Sequence, residues 1–129
     1  MNKILIEVSV GELLDKLSIL EIKQEKIKDT EKLKYINDEY QVLKGQLLKN
    51  VKSDDKLNKL FISLKEINSK LWVIEDDKRM CEKNSDFGEK FIKLSRDVHF
   101  LNDDRAKIKL EINIHTGSKI KEIKEYTKY

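Results

Sequence analysis

The sequence predicts an all-α protein, an antiparallel, coiled-coil-like bundle of about four helices preceded by a short extended segment. Three observations carry this reading. Charged residues make up 40% of the 129-residue chain and hydrophobic ones 39%. There is no proline, so nothing in the composition forces a helix to break. Apolar residues recur at alternating spacings of three and four along most of the chain, which is the period of one helix face. That combination fits long solvated helices better than a sheet protein or a disordered chain. Residues 1–129 are read as one domain, large enough for an ordinary core.

The elements follow in order. Ile4, Ile6 and Val8 alternate with Leu5 and Glu7, an extended arm over 2–8. Ser9-Val10-Gly11-Glu12 reads as a capping box that opens a first helix over 9–29. Val10, Leu13, Leu17, Leu20 and Ile27 form its seam, loosened at Gln24. Asp29-Thr30 stops that helix and caps a second over 31–51, with Leu33, Ile36, Tyr40, Leu43 and Leu47 on one side. Ser53-Asp54 caps a third over 54–83. Its seam, Leu57, Leu60, Leu64, Ile67, Leu71 and Ile74, is the most regular in the protein. Asn84-Ser85-Asp86 with Gly88 marks a tight connection. The fourth helix, 87–115, carries Phe87, Phe91, Leu94, Val98, Leu101, Ile108 and Ile112. Thr116-Gly117-Ser118 ends it, and a polar tail over 118–129 has Ile120, Ile123 and Tyr126 as its apolar anchors.

Such spacings predict antiparallel packing at about +20°. The third helix is longer than the first, so part of its apolar seam and that of the fourth is left uncovered. A homodimer is the simplest cover, and the edge of the amino-terminal arm offers a second route to one.

Charge and cysteine content exclude several classes. Lys and Arg number 27 against 24 Asp and Glu, a net charge of +3. A dedicated nucleic-acid binder carries a larger basic excess on one face, so no nucleic acid is expected as a partner. A single cysteine cannot form an internal disulfide and suits a reducing compartment. The amino-terminal apolar run is too short for a signal peptide, and no stretch reaches the ~20 apolar residues of a membrane span. A cytoplasmic protein without a membrane span is expected.

All three arginines, Arg79, Arg96 and Arg105, lie between Trp72 and His115, together with the only tryptophan and Cys81 and His99. Where lysine is the default cation, an arginine suggests the planar, two-pronged recognition that only its guanidinium provides. Asn68, Trp72, Glu75, Asp76, Arg79 and Glu82 recur at spacings of three and four beside the third seam. Arg96, His99, Asn102 and Asp103 do so on the fourth helix, where Arg105 stands in the seam itself. A turn near Ser85 sets Trp72 level with Asp97, Asn68 with Leu101 and Glu66 with Asp103.

Two readings of this polar stripe compete. The plainer is a salt-bridge network, with Glu75 or Asp76 on Arg96 and Asp103 on Arg79 or Arg105, which fixes helix register. The sharper is a pocket for an anionic or polyhydroxylated ligand formed by Trp72, Glu75, Asp76, Arg79, Arg96, Asn102, Asp103 and Arg105. Glu12, Asp15, Glu21 and the Glu75-Asp76-Asp77 run offer carboxylates for Mg²⁺. The paired helical motifs of all-α nucleotide pyrophosphohydrolases are incomplete, however, so no cofactor is expected and Mg²⁺ remains the alternative. The histidines lack partners at zinc-ligand spacing, Cys81 falls on the seam, and there is neither a nucleophile constellation nor a phosphate loop.

Three segments give a resemblance to a known family: Glu7 to Leu17, Leu71-Trp72-Val73-Ile74-Glu75-Asp76, and Asn102-Asp103-Asp104-Arg105-Ala106 leading to Glu111-Ile112-Asn113. Together they resemble a family of uncharacterised bacterial proteins classed as a domain of unknown function (DUF6165). Phe87, Phe91 and Arg96 fall into place, while His99 stands where an aromatic residue is expected. The resemblance implies a single-domain helical protein, sometimes encoded near glycosyltransferase or surface-polysaccharide genes, and so a link to sugar or sugar-nucleotide metabolism. It implies no activity. The expected role is therefore a binding or assembly module, more readily than an enzyme. The alternatives are a metal-dependent nucleotide or sugar-nucleotide hydrolase and a purely structural coiled-coil oligomer.

Overall fold

The first three helices begin where a short polar side chain takes up free amides of the first turn, and the fourth starts after Gly88 without a side-chain cap. The computed structural model describes residues 2–129, with α1 over Val10–Lys26, α2 over Thr30–Asn50, α3 over Asp55–Lys83 and α4 over Glu89–Thr116. The Ser9 hydroxyl accepts the Glu12 amide at 3.1 Å. Asp29 accepts from Glu31 and Lys32, and Asp54 accepts from Leu57 at 2.8 Å. The capping box is only half formed. Glu12 does not return to Ser9, because its carboxylate binds the Lys109 ammonium at 2.8 Å.

The first helix ends at Lys26, short of the expected 29. Asp29 must be extended to cap α2, and the chain has already left helical geometry at Ile27. At the end of α3 the Asp86 amide donates to Cys81 O and the Ser85 amide to Glu82 O, the paired bonds of a Schellman motif. Ser85 occupies its left-handed position at φ 52°, where glycine is the unstrained choice. The same motif closes α4 with Gly117 at φ 65°, Ser118 donating to Asn113 O at 2.9 Å.

Among the described residues there is no strand. The arm over 2–8 lies unpaired with Ile4, Leu5 and Ile6 exposed. The tail does not use its expected apolar anchors, since Ile123 and Tyr126 are largely exposed. Polar groups hold it instead: the Ser118 hydroxyl accepts the Val10 amide, Glu122 meets Lys109 and the Tyr129 hydroxyl donates to Asp103. Its partners are Lys109 and Asp103 on α4 and the first residue of α1.

α1 packs against each of the other three helices, and α3 pairs with α4. The core is Leu14, Leu17, Leu57, Leu64 and Ile112, with Tyr40, Leu43 and Leu47 of α2 laid against it. α1 spans roughly 25 Å and α3 roughly 43 Å at 1.5 Å per residue. Beyond Leu71 the α3–α4 hairpin buries only Cys81 fully, while Val73, Met80, Phe87, Ile92 and Phe100 are exposed.

The contact of α1 with α4 is close enough to require glycine. The Gly11 amide donates to Asn113 Oδ1 at 2.7 Å, and a Cβ at Gly11 would stand 2.6 Å from the Lys109 carbonyl oxygen. Alanine favours an isolated helix by about 1 kcal/mol over glycine, yet here the backbone clash dominates. Gly11→Ala is expected to lower stability by about 1–3 kcal/mol, read from the urea-unfolding midpoint. An unchanged or raised midpoint would mean that the two helices are not packed this closely.

Candidate functional site

A layer of buried polar side chains crosses the interface of α1, α3 and α4. Asn68 of α3 is at its centre, only 4% exposed. Its Nδ2 donates to Asp15 Oδ1 and to Ser18 Oγ, both at 2.7 Å. The Ser18 hydroxyl in turn donates to the Asp15 carbonyl at 2.8 Å. Asn68 Oδ1 accepts from the Arg105 guanidinium at 3.1 Å, and a second Arg105 nitrogen donates to Asn102 Oδ1 at 2.6 Å. Side chains on a helix lean toward its amino terminus, so Arg105 lies over Asn102 and reaches Asn68 at the level where the sequence set Leu101.

One turn further along α4, the Lys109 ammonium is buried among three carboxylates. Glu12 is at 2.8 Å, Glu122 at 3.2 Å and Asp15 at 3.8 Å. Burial by itself would push the Lys109 pKa down, and it is the largest single influence. The bond to Glu12, the charge of Asp15 and Glu12, and the bond to Glu122 together outweigh it, so the ammonium sits above its ordinary value. Glu122 is held below the usual carboxylate range, chiefly by its bond from Lys109. Among the described residues, no buried side-chain polar atom lacks a partner.

On the hairpin side this layer forms one wall of an open cleft of about 390 Å³. Ile22 and Leu71 are its buried floor. Half-buried Trp72 and Arg105 line it with Asn68, together with exposed Glu75, Asp76 and Arg79. Five of the eight residues expected in a pocket therefore line one concavity: Trp72, Glu75, Asp76, Arg79 and Arg105. Asn102 joins them as the second acceptor for Arg105.

Arg96 and Asp103 do not. They share the face of α4 that is turned toward the tail, where the Arg96 guanidinium lies over the Phe100 ring at 5.8 Å and Asp103 accepts the Tyr129 hydroxyl. That bond to a carboxylate raises the Tyr129 pKa. His99 belongs to the same cluster, its ring against Phe100 and Tyr129.

None of the expected arginine–carboxylate pairs forms. Among the described residues, every ion pair uses Lys or His: Lys16, Lys65, Lys93, Lys109, Lys124 and His115. The pairing of Glu75 or Asp76 with Arg96 fails because Arg96 faces away from α3. That of Asp103 with Arg79 or Arg105 fails because Asp103 is committed to the tail. The carboxylates weighed for Mg²⁺ are also dispersed. Glu12 and Asp15 share Lys109, while Glu21 meets Tyr40 at 3.1 Å and Lys65 at 3.2 Å. Among the described residues no group of three or more His, Cys, Asp or Glu is arranged to hold a metal ion. His115 ties the end of α4 to Asp54 at 2.8 Å, and Cys81 is buried.

Of the residues in the polar layer, sequence reasoning assigned Ser18, Lys109 and Asn113 no role, weighed Asp15 only for Mg²⁺, and set Asn68 on the polar stripe without placing it in the pocket. A signal was present in the polar positions 102, 105, 109 and 113, spaced by three and four on α4. Its neighbours Ile108 and Ile112 gave the same helix an apolar stripe directly beside it.

Fold and site together define a four-helix protein in which a buried polar layer joins α1, α3 and α4 and the paired long helices carry a polar cleft. The description "family of unknown function (DUF6165)" matches residues 4–129, and the chain belongs to that family. No curated protein and no solved structure matches it.

Proposed function

We propose that this chain is a non-catalytic helical binding module whose cleft takes a small anionic, polyhydroxylated ligand of the sugar-phosphate or sugar-nucleotide class. One observation carries the reading. Arg105 is held in place by two neutral amide oxygens, at 3.1 and 2.6 Å, with no carboxylate of the described residues in ion-pair range, and it lines the cleft. A fixed guanidinium whose charge is not cancelled by a direct partner is a recognition group for phosphate. Trp72 supplies a flat face for a sugar or base, and Glu75 and Asp76 supply acceptors for hydroxyls. A volume of about 390 Å³ falls in the range of small-molecule sites. A cytoplasmic role beside surface-polysaccharide synthesis fits this ligand class.

Uridine diphosphate glucose is a suitable first probe. Thermal stabilisation is expected to grow with its concentration, with or without Mg²⁺. Arg105→Gln should weaken its binding at least about tenfold, the value of a charged hydrogen bond. No stabilisation, or an unchanged affinity in Arg105→Gln, would refute the reading. Stabilisation only with Mg²⁺, accompanied by release of uridine monophosphate, would favour the hydrolase instead.

The chain is also proposed to assemble as a homodimer. The support is the far half of the α3–α4 hairpin, where Val73, Met80, Phe87, Ile92 and Phe100 are at least 39% exposed, an apolar surface of the kind that marks protein contacts. Sedimentation should show a dimer at micromolar concentration, and a monomer throughout that range would refute it.

A further inference from the structure

We propose that docking of the carboxy-terminal tail at Glu122 holds Arg105 in its cleft-facing position, so that tail docking and ligand binding favour each other. This deepens the reading of the cleft as a ligand site and rests on it.

The link is the choice of partners open to Lys109. Its ammonium has three protons to donate. Glu12 takes one at 2.8 Å and Glu122 of the tail takes another at 3.2 Å. Asp15 Oδ2 stands at 3.8 Å, beyond hydrogen-bond reach. Asp15 instead turns Oδ1 to Asn68, accepting its amide at 2.7 Å. With one Nδ2 proton on Asp15 and the other on Ser18, Asn68 is fully oriented and presents Oδ1 to Arg105.

When the tail leaves, the released proton of Lys109 has Asp15 Oδ2, 3.8 Å away, to turn to. A buried ammonium that drops from two hydrogen-bonded carboxylates to one is left under-compensated, which is costly. Rotating Asp15 toward Lys109 withdraws Oδ1 from Asn68, the Asn68 amide loses its orientation, and Arg105 keeps Asn102 alone. One ammonium thus has two discrete arrangements, with Glu122 or with Asp15, and only the first supports the cleft. Both partners stay charged for this role: Lys109 is held above its ordinary pKa and Glu122 below. The tail has an independent anchor, the bond from Tyr129 to Asp103, which does not involve Lys109. By linkage, a ligand that engages Arg105 strengthens tail docking by the same factor with which the tail strengthens the ligand.

The test compares full-length Glu122→Ala and Tyr129→Phe, each first shown by circular dichroism to keep its helices. Trp72 is the only tryptophan and lines the cleft, so its quenching by acrylamide reports the cleft without any ligand. Glu122→Ala is expected to increase Trp72 quenching and to weaken binding of uridine diphosphate glucose by about 3- to 10-fold. Tyr129→Phe should leave both at the level of the unmodified chain. Unchanged Trp72 quenching in Glu122→Ala would overturn the link. So would equal effects of the two variants, which would indicate a general loosening of the tail rather than a path through Lys109. If the probe binds neither the unmodified chain nor the variants, the ligand reading fails, and Trp72 quenching alone still decides whether the tail sets the cleft.

Discussion

Burying the Lys109 ammonium is the constraint from which most of this structure follows. A lone ammonium removed from water is too costly to keep, so carboxylates must surround it. Two of them, Glu12 and Asp15, stand three residues apart on α1, which makes them neighbours on one face. To bring both to Lys109, the first turns of α1 must lie directly on α4. That approach is possible only because Gly11 has no side chain to meet the Lys109 carbonyl. The third carboxylate, Glu122, brings the tail back along α4. One buried charge thereby sets the position of a helix, the need for a glycine and the path of the last residues.

The layer continues from Asp15 through Asn68 to Arg105, and its effect is on register more than on gross stability. A wholly apolar interface between α3 and α4 tolerates sliding by a turn, because its leucines and isoleucines are nearly interchangeable. Asn68 does not tolerate it: its three bonds require Asp15, Ser18 and Arg105 at one level. Polar groups buried in helical interfaces can serve this purpose at some cost in stability. Here the same choice leaves a guanidinium with neutral partners at the wall of a cleft, so that the device which registers the helices also prepares the site.

How much of this could be read from the sequence depended on the range of each interaction. Caps at Ser9, Asp29 and Asp54 and the stop at Gly117 involve atoms within a few residues, and their chemistry is written locally. The α3 seam was equally readable because Leu57, Leu64 and Leu71 are buried along one stripe, which a single helical period describes. α1 was read less well. Leu14 and Ile22 are 2% and 1% exposed yet lie off the seam taken from the pattern, since a helix with three neighbours buries more than one stripe. The arginine pairings failed for a related reason. In a chain that is 40% charged, opposite charges at matching height are common, and only the rotation of each helix decides which meet. Arg96 and Asp103 point to the tail, whose path depends on Glu122 meeting Lys109, a contact between residues 13 apart that no periodicity reveals.

Lys109, Asp15, Asn68 and Arg105 act as one unit although Lys109 and Arg105 share no direct bond. A double-mutant cycle with Lys109→Met and Arg105→Met, scored by urea unfolding, tests this coupling most directly. A connected layer predicts that the two changes are non-additive by about 1 kcal/mol or more, because the second acts on a network the first has already broken. Additivity within about 0.3–0.5 kcal/mol would show two independent contacts and contradict the account.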